Sequence, residues 1–282
     1  MYMTGKKSRP GTELLYSGGN RNDFPITTEH AYDSVKYTEL VGRHLAQSED
    51  IVVSQSLHNG RVSIIFASSR RYIPRPPVSW ASRSNYDSLT ELVNKNWTLG
   101  SQKSKQIYSL TCDENSGFGV FFLTNYGTSQ KILTKLSEIE DARKDGFKIT
   151  SCAAQGSTFY IVVTKGSREF KGKQVWFSPN SWAGANRLIQ QNQTEGRVVT
   201  GICYSTGQGK YLVVMMETSE GQIYKKFCDV ADLDRWVKKE HKEGFHPTTI
   251  FKDPTDDKTL VVMRKDRSML RYTCRYNCKV FC

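Results

Sequence analysis

Five pairs of apolar runs punctuate the chain, each a short first run, a turn and a more continuous second run. Val52-Val53-Ser54 precedes Val62 to Phe66, Ile107-Tyr108-Ser109 precedes Gly119 to Leu123, and Ile149-Thr150-Ser151 precedes Tyr160 to Val163. Val199-Thr200-Gly201 precedes Tyr211 to Met215, and Pro247-Thr248-Thr249 precedes Thr259 to Met263. The intervening residues include Asn59-Gly60, Ser116-Gly117, Gln155-Gly156, Gly207-Gln208-Gly209 and Asp253-Pro254. Such residues reverse a chain through positive φ or a preset φ, so each pair reads as a β-hairpin. A third run follows in each unit, at Val78 to Ala81, Lys131 to Leu136, Gln174 to Phe177, Ile223 to Phe227 and Met269 to Thr273. Short helical stretches come next, as in Tyr86 to Val93 and Val230 to Trp236, with Asp87 and Asp232 where a cap or first-turn carboxylate is favoured.

Taking Val52, Ile107, Ile149, Val199 and Pro247 as equivalent gives steps of 55, 42, 50 and 48 residues, the period of a supersecondary unit. The N-terminal residues join the series through Tyr32 to Val41, which is similar to Tyr86 to Val93, so the chain is read as starting inside a unit. Continuous apolar second runs suit strands covered on both faces. The fold class expected is therefore all-β, a propeller of about five blades with three to four strands each and short inter-blade helices. The alternatives are six blades or an open repeat stack. The whole of 1–282 is expected to be a single repeat domain, with a partial unit 1–48 and units 49–103, 104–145, 146–195, 196–243 and 244–282. Thr12 to Ser17 would complete the C-terminal unit, because an unpaired edge is an aggregation liability.

Composition narrows the class further. Of 282 residues 38% are hydrophobic and 11% aromatic, which excludes a disordered tail. Seven cysteines, an odd and scattered set, favour a reducing compartment. Met1 to Pro10 is polar and basic, with no stretch of signal-peptide character, and the longest apolar run, Tyr211 to Met216, cannot span a bilayer. An intracellular protein, cytoplasmic or nuclear and with no membrane partner, is expected. The sequons at Asn96 and Asn192 carry no weight without a secretory signal.

Gly146-Phe147-Lys148-Ile149-Thr150-Ser151-Cys152-Ala153-Ala154 and the following Tyr160-Ile161-Val162-Val163 are echoed at Gly196 to Tyr204 and Gly244 to Phe251. This pattern resembles the propeller-like region that follows the kinase domain in plant nuclear casein-kinase-I-like protein kinases. The resemblance covers roughly residues 97–282 and implies a propeller fold and an accessory binding role. Kinase chemistry is excluded, because no Gly-rich loop, His-Arg-Asp or Asp-Phe-Gly motif is present.

Candidate chemistry is sparse. Gly117-Phe118-Gly119 and Gly207-Gln208-Gly209 sit in hairpin turns, not at strand-to-helix junctions that cradle phosphate. Cys274, Cys278 and Cys282 recur every fourth residue without the second pair or His that zinc prefers, and Cys112, Cys152 and Cys203 read as small core residues. His241, Glu243 and His246 fall in a polar connection, and Glu138 with Glu140 or Asp256 with Asp257 read as solvated surface. No enzyme, metal or cofactor is expected.

Charge carries the functional content: 40 Lys and Arg against 28 Asp and Glu leave a formal +12. Basic residues cluster where strands connect. Arg70, Arg71, Tyr72 and Arg75 lie in a Pro-stiffened insertion; Lys165, Lys171 and Lys173 form a second group, and Arg235, Lys238 and Lys239 a third. Long-range attraction from such residues favours acidic partners. The expected function is a non-catalytic interaction or scaffold module with these ten residues as partner-binding candidates and an acidic protein surface or tail as partner. The alternatives are a nucleic-acid-binding propeller and an accessory domain of a protein kinase.

Overall fold

The computed structural model describes residues 15–16, 26–31, 50–58, 61–68, 78–97, 105–113, 117–124, 127–167 and 170–265. The N-terminal sheet contains β1 (Leu15–Tyr16), β2 (Ile26–Ala31), β3 (Asp50–His58) and β4 (Arg61–Ser68), in the order β1-β2-β4-β3. The next strands are β5 (Val78–Arg83), β6 (Lys105–Asp113) and β7 (Gly117–Thr124), which form a sheet ordered β5-β7-β6 around helix α1 (Tyr86–Trp97). β8 (Ser129–Leu133), β9 (Lys148–Gln155) and β10 (Thr158–Lys165) follow, with a 3₁₀ turn running into α2 (Ile139–Lys144). β11 (Gln174–Phe177), α3 (Trp182–Thr194), β12 (Arg197–Ser205) and β13 (Lys210–Glu217) come next, then β14 (Gly221–Phe227), α4 (Val230–Lys242), β15 (His246–Asp253) and β16 (Lys258–Lys265). These last three sheets are ordered β8-β10-β9, β11-β13-β12 and β14-β16-β15.

The paired apolar runs are hairpins, and all strand pairing is antiparallel. The third run, however, does not return to its own hairpin. Val78–Arg83 pairs with β7, Ser129–Leu133 with β10, Gln174–Phe177 with β13 and Gly221–Phe227 with β16. Each of these sheets therefore takes its edge strand from upstream, across a helix. An apolar strand pattern states which face is buried and is silent about which neighbour supplies the hydrogen bonds.

The all-β propeller is corrected on this evidence to a mixed α/β fold of separate open sheets. The helices were read as connections, yet each sends an apolar stripe into a core. Leu89 and Val93 of α1 pack with Ile107 and Val120, Ala185 and Ile189 of α3 with Tyr211 and Val213, and Leu233 and Val237 of α4 with Val261 and Met263. Apolar residues at i and i+4 produce that stripe, and each fully buried aliphatic side chain contributes roughly 1.5–3 kcal/mol. Among the described residues no sheet closes on itself, and none shares a strand with another. Nor are the units copies of one another: one sheet has four strands, and the helices run from 6 to 13 residues. Closure by Thr12 to Ser17 is overturned as well, because Leu15 and Tyr16 lie opposite Thr28 and Thr27 in the N-terminal sheet. The stretch Tyr32 to Val41 and the run Met269 to Thr273 lie outside the described residues.

The middle strand of a sheet is its spine. Phe159 to Thr164, Tyr211 to Met216 and Thr259 to Met263 are buried without interruption, as expected of a strand covered on both faces. Helix starts are fixed by side-chain caps: Asn85 Oδ1 accepts from Ser88 N at 2.9 Å, and Asp229 Oδ1 accepts from Ala231 N at 2.6 Å and Asp232 N at 3.2 Å. Asp87 and Asp232 themselves occupy the first turns.

One irregularity recurs and joins the sheets. In β3, β6, β9, β12 and β15 the register skips one residue, respectively Val53, Tyr108, Thr150, Thr200 and Thr248. A bulge leaves ladder groups unpaired, and buried backbone groups must find partners elsewhere. Thr150, Thr200 and Thr248 each donate a hydroxyl to the carbonyl of Val162, Val214 and Val262 at 3.4 Å. At two of these bulges the residue before it turns its N–H and C=O toward the next sheet, where one glutamine amide bonds both. Ile107 N donates to Gln130 Oε1 at 2.6 Å and its oxygen accepts from Gln130 Nε2 at 2.8 Å. Ile149 and Gln174 repeat this at 2.7 and 2.8 Å. Through such side chains β6 lies beside β9, β9 beside β12 and β12 beside β15, while β3 lies between β15 and β6.

Candidate functional site

The basic candidates separate into three groups. Arg70, Arg71, Tyr72 and Arg75 lie outside the described residues. Lys165 ends β10, and Lys171 and Lys173 sit in the connection to β11; all three are exposed and make no ion pair with a described residue. Lys148 anchors that connection, donating from Nζ to Lys171 O at 2.9 Å and Gly172 O at 2.8 Å. Burial pushes the Lys148 ammonium below the usual lysine value.

Arg235, Lys238 and Lys239 are on α4, and each has a carboxylate beside it. The pairs are Arg235 with Asp232 at 3.5 Å, Lys238 with Asp234 at 2.5 Å and Lys239 with Glu240 at 3.8 Å. The cationic clusters read as alike in the sequence therefore differ in what their charges face.

The residues considered for chemistry have the following surroundings. The His241 and His246 rings lie 4.9 Å apart, with His241 Nδ1 against Phe245 O at 3.2 Å, and Glu243 is an exposed helix C-cap. No group of three or more His, Cys, Asp or Glu suited to a metal occurs among the described residues. Cys112, Cys152 and Cys203 are thiols outside any disulfide, on β6, β9 and β12; burial, then the neighbouring Cys152, raises the Cys203 thiol far above its ordinary value. A thiol held protonated in this way is a poor nucleophile. Cys274, Cys278 and Cys282 lie outside the described residues. No described helix is long and apolar enough to cross a membrane.

Sequence reasoning missed a groove of about 490 Å³ between α3 and the edge strand β14. Ser181 caps α3 by accepting from Gly184 N at 3.1 Å, which sets the helix so that Ala185 and Ile189 face the core. The same rotation places Asn186, Gln190 and Gln193, spaced i, i+4 and i+7, along the groove. Across from them Tyr224 donates its hydroxyl to Asn186 Oδ1 at 2.8 Å, and Gln193 Nε2 donates to Gln222 O at 3.3 Å. Burial raises the Tyr224 phenol, so it remains a donor at neutral pH.

The floor is a buried charged network. Lys226 Nζ lies 4.0 Å from the centre of the Trp182 ring, bonds Asp253 and reaches Asp256 at 3.0 Å. Asp253, fully buried, also accepts from Tyr211 OH at 2.7 Å and from Thr255 N at 2.9 Å. Burial alone would raise Asp253, but the hydrogen bonds from Lys226, Thr255 and Tyr211 outweigh it and hold the carboxyl below its ordinary value. Burial also pushes the Tyr211 phenol up.

This arrangement offers hydrogen-bonding amides, a ring already covered by a paired ammonium and a phenol that keeps its proton. It can hold a ligand's polar groups. The signal for the groove was present in the i, i+4, i+7 amides of α3, but its other wall comes from a strand whose sheet partner the sequence did not reveal. No protein-family model matches the chain and no curated protein matches it, so the likeness to the kinase-associated region is left with neither the fold nor a relative to support it.

Proposed function

We propose that the chain is a non-catalytic protein-interaction module that holds acidic segments of partner proteins at the end of β10 and the connection to β11. The observation that carries this reading is the contrast in pairing. Lys165, Lys171 and Lys173 are exposed without an ion pair to a described residue, whereas Arg235, Lys238 and Lys239 already face carboxylates. Unpaired surface cations attract an anionic chain at long range and are screened by salt.

The test is retention of the full chain on immobilised polyglutamate and, in parallel, on duplex DNA, across a salt series. Replacing Lys165, Lys171 and Lys173 by Ala should weaken polyglutamate binding by roughly tenfold, taking up to about 0.5 kcal/mol for each exposed charge. Replacing Arg235, Lys238 and Lys239 should change it by less than about twofold, on the same scale. Equal loss from both triple variants would overturn the reading. Stronger retention on DNA with a steep salt slope would assign the charge to nucleic acid instead.

A further inference from the structure

The strand β14 is an edge, and its outward backbone groups can be identified. Pro247 of β15 lies opposite Met263 of β16. Proline has no N–H and cannot exchange a pair of hydrogen bonds there, so the Met263 backbone groups point the other way, toward Ile223 of β14, which lies opposite Met263 on that side. Alternation along β14 then turns the N–H and C=O of Gln222, Tyr224 and Lys226 away from the sheet. The bond from Gln193 Nε2 to Gln222 O confirms the direction at one of the three. Tyr224 and Lys226 give their outward groups to no described residue, and the groove beside α3 lies along this edge.

The electrostatics favour one sign of ligand. No carboxylate lines the groove among the described residues, and Lys225, exposed on the same edge, makes no ion pair with a described residue. Lys226 is neutralised from below by Asp253 and Asp256, and Asp229, the next carboxylate along the chain, is engaged in capping α4. We propose that this edge binds an extended acidic peptide, which pairs its backbone with Tyr224 and Lys226, sets a carboxylate against Lys225 and places alternate side chains among the amides of α3. The inference rests on the reading of the chain as a binder of acidic protein segments, and it names a second site and the mode of capture.

The probe is a set of synthetic seven-residue peptides in which Thr and Val alternate with Glu. A second set has Lys for Glu, and a third has the Glu sequences with alternate backbone nitrogens methylated. With the full chain labelled with nitrogen-15, Glu peptides should shift the amide signals of Tyr224 and Lys226 and bind at least tenfold more tightly than Lys peptides. N-methylation should cost at least tenfold. Gln190→Trp, at an exposed helix position, should fill the groove and abolish binding, and Lys225→Glu should invert the charge preference; both should melt as the parent does.

Any of four results would overturn the proposal: no movement of the Tyr224 and Lys226 signals, equal binding of Lys peptides, indifference to methylation, or unaltered binding by Gln190→Trp. Movement of those signals with protein concentration alone would overturn it in favour of a second copy of this chain. The Lys165, Lys171, Lys173 triple variant separates the two readings. If it loses polyglutamate while Gln190→Trp keeps the peptides, the groove assignment fails and the module reading stands; if neither variant loses its ligand, both fail.

Discussion

Two joints between neighbouring sheets are built from the same parts and end differently. Where β9 meets β11, Gln174 satisfies both backbone groups of Ile149, and the Trp176 indole donates to Glu140 of α2 at 2.9 Å. Where β12 meets β14, Gln222 Oε1 accepts from Val199 N at 2.5 Å, but its Nε2 is buried without a partner. The Val199 carbonyl is left to Arg264, at 3.5 Å. The helix at this second joint is longer, and it meets the strand through Asn186 with Tyr224, Gln193 with Gln222 and Trp182 with Lys226. A full amide clamp with a short helix satisfies both backbone groups across the first seam. A half clamp with a longer helix leaves a groove.

The comparison can be broken most severely from beneath the groove. Asp253→Ala should destabilise the chain by roughly 3–5 kcal/mol in urea unfolding, because it leaves the nearly buried Lys226 without its closest carboxylate and removes the carboxylate acceptor of the Tyr211 hydroxyl. Among the described residues no ion pair as buried as Lys226 with Asp253 lies at the seam near Ile149, so its own loss should be milder. Gln174→Ala strands both an N–H and a C=O and should cost about 2–4 kcal/mol. Gln222→Ala removes a single bond together with an unsatisfied amide, so about 1 kcal/mol or less is expected. Equal costs for Gln174→Ala and Gln222→Ala would abolish the distinction between the joints.

Acid sharpens the same contrast. The Asp253 carboxyl is held below its ordinary value in the folded chain, so its contribution is present above the unfolded carboxylate value near 3.8 and is lost as pH falls through the folded value. Urea midpoints measured from pH 6 downward should therefore fall less steeply for Asp253→Asn than for the parent. They should remain parallel to the parent for Gln174→Ala. The smallest effect belongs to Gln193→Ala, which removes a 3.3 Å bond at the groove's rim and should change stability by only a few tenths of a kcal/mol. Its signature is a change in the Gln222 amide environment without a change in midpoint.

Hairpins were legible in the sequence because paired apolar runs and turn residues are local signals. The recurring hydroxyl in Ile149-Thr150-Ser151, Val199-Thr200-Gly201 and Pro247-Thr248-Thr249 was visible too, although its meaning, a threonine replacing a lost ladder bond at a bulge, required the register. The partners of β8, β11 and β14 were not legible, since strand patterning does not encode which hairpin an edge joins. The helices were underweighted because their buried stripes are two residues wide, as with Leu89 and Val93 or Leu233 and Val237. Charge was read as a sum, although Asp232 stands three residues before Arg235 within the helical stretch Val230 to Trp236 and so lies beside it, whereas Lys165 ends a strand and pairs with no described carboxylate.

The upstream origin of each edge strand has a consequence for how the chain could be divided. A cut within 166–173 falls after β8, β9 and β10 have completed their sheet and before β11 begins the next. Each fragment would keep its sheets whole. What the cut separates is the connection that Lys148 holds, while the Gln174 clamp on Ile149 remains as a preformed recognition element between the pieces. A cut in a hairpin turn would instead divide a sheet through its spine. The long connection is therefore the natural place for fragment complementation, with two halves finding each other through the Gln174 clamp, the Trp176–Glu140 bond and the packing of β9 against β12.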